Sequence, residues 1–266
     1  MHDGLALPEG NDDIEVRLRD GALRLTLTRP DRLNALTDRM VEVLCEALEG
    51  AVAHDEVRCA VVTGTGGSFS AGADVEGAAA HERFDVRALD AANRLVRAIT
   101  NLDKPVVAAV NGVAAGVGCS MALAADLVVA ATSAQFLLAF TRLGLMPDGG
   151  SSYTVAASVG RARAMRMALL AEPLGAQEAY DAGLATHVVA DDQLAGVVDR
   201  LVHRFASGPP LAFAATKKAV NAATLGGLHD ALERERVGQT VLLRTDDVAE
   251  GMRAFNEKRR PRFEGR

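Results

Sequence analysis

The sequence predicts an α/β fold: a partly parallel sheet built from strand–helix–strand crossovers, followed by a C-terminal helical extension. Three observations carry this. Uninterrupted apolar runs of strand length (CAVVTG, PVVAAV, LVVAA) recur between segments of helical periodicity, and strands joined through helices pair in parallel. Glycines punctuate the ends of the first two runs, as expected where a buried strand turns. After about Asp148 the pattern is helical to the end. A length of 266 residues suits one large domain or one domain with a small appendage.

Residues 1–13 read as a flexible tail. IEVRLRDGALRLTLTRP then gives two alternating runs about Asp20-Gly21, a short hairpin signal. Thr37 precedes DRMVEVLCEALEGAVAHD, a capped amphipathic helix with apolar positions at Met40, Leu44, Ala47, Leu48 and Ala51. CAVVTGTG is a buried strand, a helix runs from about Val86 to Ile99, and PVVAAVNG is a second buried strand. Gly116 to Ala124 forms a buried helix, and LVVAA a third strand. A further helix begins near Ser151. The segments GRARAMRMALLAEPL, AQEAYDAGL and DDQLAGVVDRLVHRFASG are helical in turn, and Pro209-Pro210 opens another helix. LHDALERERVGQTVLLR precedes a last helix started by Thr245 and two aspartates. The α/β core thus spans 14–205 and the helical region 206–266.

Composition excludes several functions. With 29 Lys+Arg against 35 Asp+Glu the net charge is 29 − 35 = −6, the wrong sign for neutralising phosphates on nucleic acid. Aromatics are 4% with no Trp, so base-stacking platforms are not expected. Cys45, Cys59 and Cys119 sit in apolar runs without close spacing, which suits small buried hydrophobes and neither a disulfide framework nor a metal site. The six histidines, among them His2, His54, His187, His203 and His229, show no triad or metal spacing. The first residues lack a basic and then apolar leader, so a cytoplasmic location is the expectation. The uncharged stretch between Lys104 and Asp126 approaches membrane-spanning length, but Pro105, Asn111 and three glycines break it into strand, turn and helix.

Two glycine-rich segments follow buried strands: TGTGGSFSAGADV (63–75) and VNGVAAGVGCSMAL (110–123). Neither ends in Gly-Lys-Ser/Thr, and the spacing of Gly112, Gly116 and Gly118 is not that of a dinucleotide loop. Such loops suit backbone amides gripping an oxygen at close approach. They equally suit tight helix–sheet packing, and the residues alone leave both readings open.

SFSAGADV, KPVVAAVNGVAAGVGCSMALAADLVVA, SAQF, GLMPDGG and GRARAM…EAYDAGL, in that order, resemble the enoyl-CoA hydratase/isomerase (crotonase) superfamily from about Ile14 to the C-terminus. The resemblance implies a spiral of strand–strand–helix turns. It also implies a homo-trimer or hexamer assembled through residues 206–266, and an acyl-CoA thioester as substrate with no separate cofactor. The thioester oxygen would be held by the backbone N–H groups of Ala73 and Val117. Around Ala71, Gly72, Asp74, Val75 and Gly116 the CoA chain would lie; Arg32 and Leu33 match the segment along its nucleotide. Lys258, with Arg259 and Arg260, would reach the 3′-phosphate, or simply make a cationic helix end.

Hydratases of this superfamily use two glutamates, and here those positions are Ser120 and Phe140. One acid remains where the family places chemistry: Asp148 in GLMPDGG, which resembles the aspartate of dienoyl-CoA isomerases and, in its Pro-Asp-Gly setting, the 1,2-epoxyphenylacetyl-CoA isomerase-like group. A single carboxylate suffices for a double-bond shift, so the resemblance implies an enoyl-CoA isomerase. The alternatives are a hydratase working with one carboxylate and a serine-held water, an aspartate nucleophile of the dehalogenase kind, and a silent acyl-CoA binder. Phe140 and Leu143, as an apolar wall, would raise the basicity of Asp148, while a helix start nearby would lower it. Without the resemblance, Asp148 reads as a cap for the helix near Ser151. Asp126 reads as a structural partner, Asp74 as orienting its loop, and Tyr153 as a pocket donor or a buried phenol with a backbone partner. Glu76, His81 and Glu82 read as a polar loop, and the stretch from Ala78 to Phe84 as bordering the acyl pocket.

Overall fold

A computed structural model describes residues 7–77 and 83–266. Strands β1 (Ile14–Arg19) and β2 (Ala22–Leu27) form the expected antiparallel hairpin. Asp20 and Gly21 take φ of 54° and 77°, the two positive values that a two-residue turn of matching twist needs. Helix α1 (Asp38–Gly50) starts on Thr37, whose hydroxyl accepts from the Met40 amide at 3.3 Å. Residues 7–13 depart from the expected free tail. Asn11 Oδ1 accepts from the amides of Asp13 and Ile14, and Asp13 O accepts from the Thr28 amide at 2.9 Å. The side-chain turn at Asn11 ties the segment to the hairpin. Residues 1–6 lie outside the described residues.

From there the chain repeats one unit. β3 (Cys59–Gly64) passes to the short β4 (Ser68–Ser70) and then to α2 (Val86–Asn101). β5 (Val106–Val110) passes to β6 (Val113–Ala115) and α3 (Val117–Leu123); β7 (Leu127–Ala131) passes to β8 (Gln135–Leu137) and α4 (Ser151–Leu170). The first strand of each unit joins a six-stranded sheet, β1-β2-β3-β5-β7-β10, parallel from β2 onward, with β10 (His187–Val189) at its edge. The second joins a four-stranded sheet, β4-β6-β8-β9, closed by the antiparallel β9 (Leu174–Gly175). Both glycine segments read as loops therefore hold a strand. Three residues flanked by glycines are too few to display a period of two.

The apolar runs are unbroken because both faces of the large sheet are covered. Along β3, Ala60 and Val62 face the main core while Cys59 and Val61 face a second one; Ala108 and Val107 divide likewise on β5, and Val128 and Val129 on β7. Helix α6 (Leu194–Ser207), after the short α5 (Ala176–Asp181), closes the second core with Val197, Val198, Val202 and Phe205. Helix α4 turns at Gly160, where φ is 75° and ψ 163°, so the run from Ser151 and the GRARAM segment are two helical pieces.

The last three helices, α7 (Pro210–Thr224), α8 (Leu228–Leu242) and α9 (Asp246–Asn256), fold back onto the core. Thr245 caps α9 through its hydroxyl, which accepts from the Val248 amide. Gly251 of α9 lets that helix close on the Leu143 backbone, since a Cβ there would stand 2.6 Å from the Leu143 carbonyl. Among the described residues, no helix is long and apolar enough to cross a membrane.

Candidate active site

The two glycine segments meet. Gly72 has φ of 94°, and a Cβ on it would lie 2.8 Å from Ala115 O and 3.4 Å from Val117 N. Only glycine lets the chains come this close with that backbone. Beside it, Leu36 makes a parallel bridge: its N–H donates to Gly72 O (2.7 Å), and its carbonyl accepts from Asp74 N (3.0 Å). The Ala73 amide points away from that bridge, as alternate residues of an extended chain do. Val117 is the first residue of α3, where a helix leaves its own amides without partners. Neither the Ala73 nor the Val117 amide finds an acceptor among the described residues. Two free donors thus sit on neighbouring loops.

Asp148 stands against the same place. A Cβ on the next residue, Gly149, would lie 3.0 Å from Ser120 Cβ and 3.7 Å from Val117 Cγ2. The Ser120 hydroxyl, fully buried, donates to the Asp148 carbonyl at 2.7 Å, and the Ser151 hydroxyl does so at 2.8 Å. Of the Asp148 carboxylate, Oδ2 accepts from Gln239 Nε2 at 2.9 Å, whereas Oδ1 is closed off from solvent and has no hydrogen-bond partner. Burial pushes this carboxyl up to about 7; the Gln239 donor works against that rise, and the charge of Glu235 adds to it. Desolvation is thus the largest of the influences on this carboxyl.

The capping role considered for Asp148 belongs to Glu235. Its two carboxylate oxygens accept from Gly150 N (2.7 Å) and Ser152 N (3.0 Å) at the head of α4. Burial raises the Glu235 carboxyl too, opposed by these donors. Both Glu235 and Gln239, each 1% exposed, come from α8. Sequence reasoning passed over them, although a signal was present. Leu228, Ala231 and Leu232 mark the buried face of α8, and positions 235 and 239 continue that stripe with polar residues. A polar residue on a buried stripe must have a partner.

The other expected residues divide. Phe140, eight residues before Asp148, is buried in the main core, and the Leu143 backbone is closely approached by Gly251 of α9. Ala71 N donates to Leu33 O at 2.9 Å, so Arg32 and Leu33 do lie along the Ala71–Gly72 segment. Arg32 is exposed and ion-paired with Glu76. Asp74 accepts from Glu76 N at 3.2 Å and pairs with Arg29 at 3.0 Å, which orients its loop. Asn256, at the end of α9, accepts from Gly77 N (3.2 Å) and donates to Val75 O (3.1 Å). That clamp ties the end of α9 to the segment from Val75 to Gly77, and Lys258, two residues further on, is exposed. Gly116 N donates to Leu137 O at 2.9 Å. His81, Glu82 and most of the stretch from Ala78 to Phe84 lie outside the described residues.

Several candidates are structural. Asp126 accepts from Val106 N at 2.7 Å and pairs with Lys217 at 2.8 Å, and Lys217 also donates to Ile99 O. Tyr153 has a backbone partner, its hydroxyl accepting from Gly227 N at 3.1 Å. Burial pushes the Cys45 and Cys119 thiols up to about 12 and Cys59 to about 11, far from nucleophilic range. Among the described residues no cluster could hold a metal ion.

The family model described as enoyl-CoA hydratase/isomerase matches residues 17–266. This chain belongs to that family. It is 40% identical to a 1,2-epoxyphenylacetyl-CoA isomerase of Escherichia coli, over 92% of this chain and 96% of that one. It is 42% identical to a probable enoyl-CoA hydratase of Rhodobacter capsulatus, over 95% and 98%. The crystal structure of an enoyl-CoA hydratase from Mycobacterium avium subsp. paratuberculosis superimposes with a TM-score of 0.89 at 48% identity, covering 95% and 98%. The two strands and a helix per turn are thus the crotonase-like spiral. Relatives within this enoyl-CoA hydratase/isomerase family carry both names, so the residues beside the two free amides must decide between the reactions.

Proposed function

We propose that this protein is an acyl-CoA isomerase that shifts a carbon–carbon double bond by proton transfer through Asp148. The observation that supports the reading is the state of that carboxylate. One oxygen is held by Gln239, the other is bare and buried, and its pKa of about 7 suits taking a proton and giving it back. The thioester carbonyl of an enoyl-CoA would accept from the Ala73 and Val117 amides. Asp148 removes a proton from carbon 2 or carbon 4, and the electron pair of that C–H bond moves into a dienolate whose oxygen the two amides hold. Reprotonation at the other end by the same carboxyl completes the shift and restores the carboxylate. One such donor is typically worth ~2.7–4 kcal/mol in the transition state.

The substrate's CoA is proposed to run past Arg32, Leu33, Ala71, Gly72, Asp74, Val75 and Gly116 toward Lys258, with Phe140 and Leu143 beside the acyl chain and no further cofactor. We propose a cytoplasmic location, and a trimer or hexamer assembled through residues 206–266; the assembly is supported by the exposed apolar Leu211, Val220, Val237 and Val241 on α7 and α8. A serine-held water gains no support, because the Ser120 hydroxyl donates to the Asp148 carbonyl.

The test is a 3-enoyl-CoA incubated in deuterated buffer and followed by NMR, beside Asp148→Asn. Double-bond migration with deuterium entering only in the wild type is expected. Accumulation of 3-hydroxyacyl-CoA from a 2-enoyl-CoA would make it a hydratase. CoA binding with neither exchange nor migration would overturn the isomerase.

A further inference from the structure

The acid–base chemistry of the proposed isomerase rests on one carboxylate, yet the groups that govern that carboxylate lie some ninety residues away on α8. The amides at the head of α4 are fully accounted for without it. Gly150 N and Ser152 N donate to Glu235, and Ser151 N donates to the Asp148 main-chain carbonyl at 3.2 Å. A helix start this close would otherwise stabilise an anion. Gln239, in turn, is fixed before it meets Asp148: its Oε1 accepts from Met146 N (3.0 Å) and its Nε2 donates to Met146 O (2.9 Å). With both amide atoms engaged by the main chain of one residue, Met146, Gln239 has a single orientation, and its remaining N–H is aimed at Asp148 Oδ2. Oδ2 thus carries a fixed hydrogen bond, whereas Oδ1 carries none.

We infer that Gln239 and Glu235 are positioning residues for Asp148: Gln239 selects which carboxylate oxygen is free to move the proton, and Glu235 keeps the α4 amides from holding the anion. The inference rests on the isomerase reading for its meaning in turnover, though not for its test. The two residues push in opposite senses. The Gln239 donor favours the ionised form, and the Glu235 charge disfavours it. The other groups facing Asp148 are uncharged: Ser120 from α3 and Ser151 from α4, both on its carbonyl. Among the described residues Glu235 is the ionisable group whose charge acts on Asp148.

The experiment is a titration of the free protein labelled with carboxyl-13C aspartate, the Asp148 signal being the one lost in Asp148→Asn. Relative to wild type, the midpoint moves up in Gln239→Met and further up in Gln239→Glu, where a second carboxylate stands against Oδ2. It moves down in Glu235→Gln. Unmoved midpoints, or a Glu235→Gln shift in the same direction as the Gln239 variants, would overturn the inference. If Glu235→Gln does not fold, the ordered pair at Gln239 decides: the inference requires both shifts, Glu beyond Met. The acid limb of the proton-exchange rate must follow the midpoint in each folded variant. Midpoints that shift as stated in a protein with no exchange would defeat the isomerase reading and leave the control by α8 standing. Exchange with unmoved midpoints would do the reverse.

Discussion

Asp148 should make the folded protein less stable as it ionises, and the size of that effect follows from its surroundings. Burial lifts its carboxyl from 3.8 to about 7, so the folded state binds this proton more tightly than the unfolded chain does. For such a group stability is fully present below the unfolded value and is lost as pH rises through the folded one. A rise of roughly three units corresponds to about 4 kcal/mol lost above pH 8, and to about 1.7 kcal/mol at pH 5, where the unfolded carboxyl is already ionised. Replacing Asp148 by Asn removes the titration and keeps an acceptor for the Gln239 amide. The variant should therefore gain on the wild type by about 2.5 kcal/mol more at pH 9 than at pH 5. Urea unfolding of both proteins at one protein concentration, at each pH, measures it. A difference that stays flat across this range, or shrinks as pH rises, would refute the reasoning, because every other ionisable group is common to the two chains.

Other perturbations probe the frame around the site. Ser120→Ala deletes the 2.7 Å bond to the Asp148 carbonyl; thermal unfolding should report a loss of about 1–3 kcal/mol, with slower proton exchange at unchanged CoA binding. Gly72→Ala places a Cβ 2.8 Å from Ala115 O and must spread the two amide-bearing loops; kcat should fall by about two to three orders of magnitude, as when one oxyanion donor is lost, while circular dichroism stays native. Lys217→Met leaves Asp126 without its 2.8 Å partner in a poorly solvated place, and denaturant titration should show a cost of about 3–5 kcal/mol at neutral pH, smaller in acid as the carboxyl protonates.

The elements that the sequence revealed are those whose pattern is local. The Asp20-Gly21 turn, the Thr37 and Thr245 caps and the three apolar strands each announce themselves within a few residues. The short strands β4, β6 and β8 do not, because three residues acquire meaning only from the neighbours they pair with. The same division holds at the site. Asp148 and the two glycine segments are visible as motifs, and the family resemblance gave them roles. Gln239 and Glu235 act through contacts 91 and 85 residues distant in the chain, and inside LERERVGQ they look like ordinary polar positions of a surface helix. Only the alignment of 235 and 239 with the buried Leu228 and Leu232 marks them.

The order in which the chain is made gives the α8 contacts one more consequence. Translation delivers the two amide-bearing loops first, then Asp148, and only after roughly ninety further residues the glutamine that holds its carboxylate. Until α8 has left the ribosome and docked, Asp148 has no Gln239 amide on Oδ2 and the head of α4 has no carboxylate on its amides. A nascent chain therefore carries the Asp148 segment long before it carries the two α8 side chains that contact it, and this set of contacts is complete only once α8 is in place.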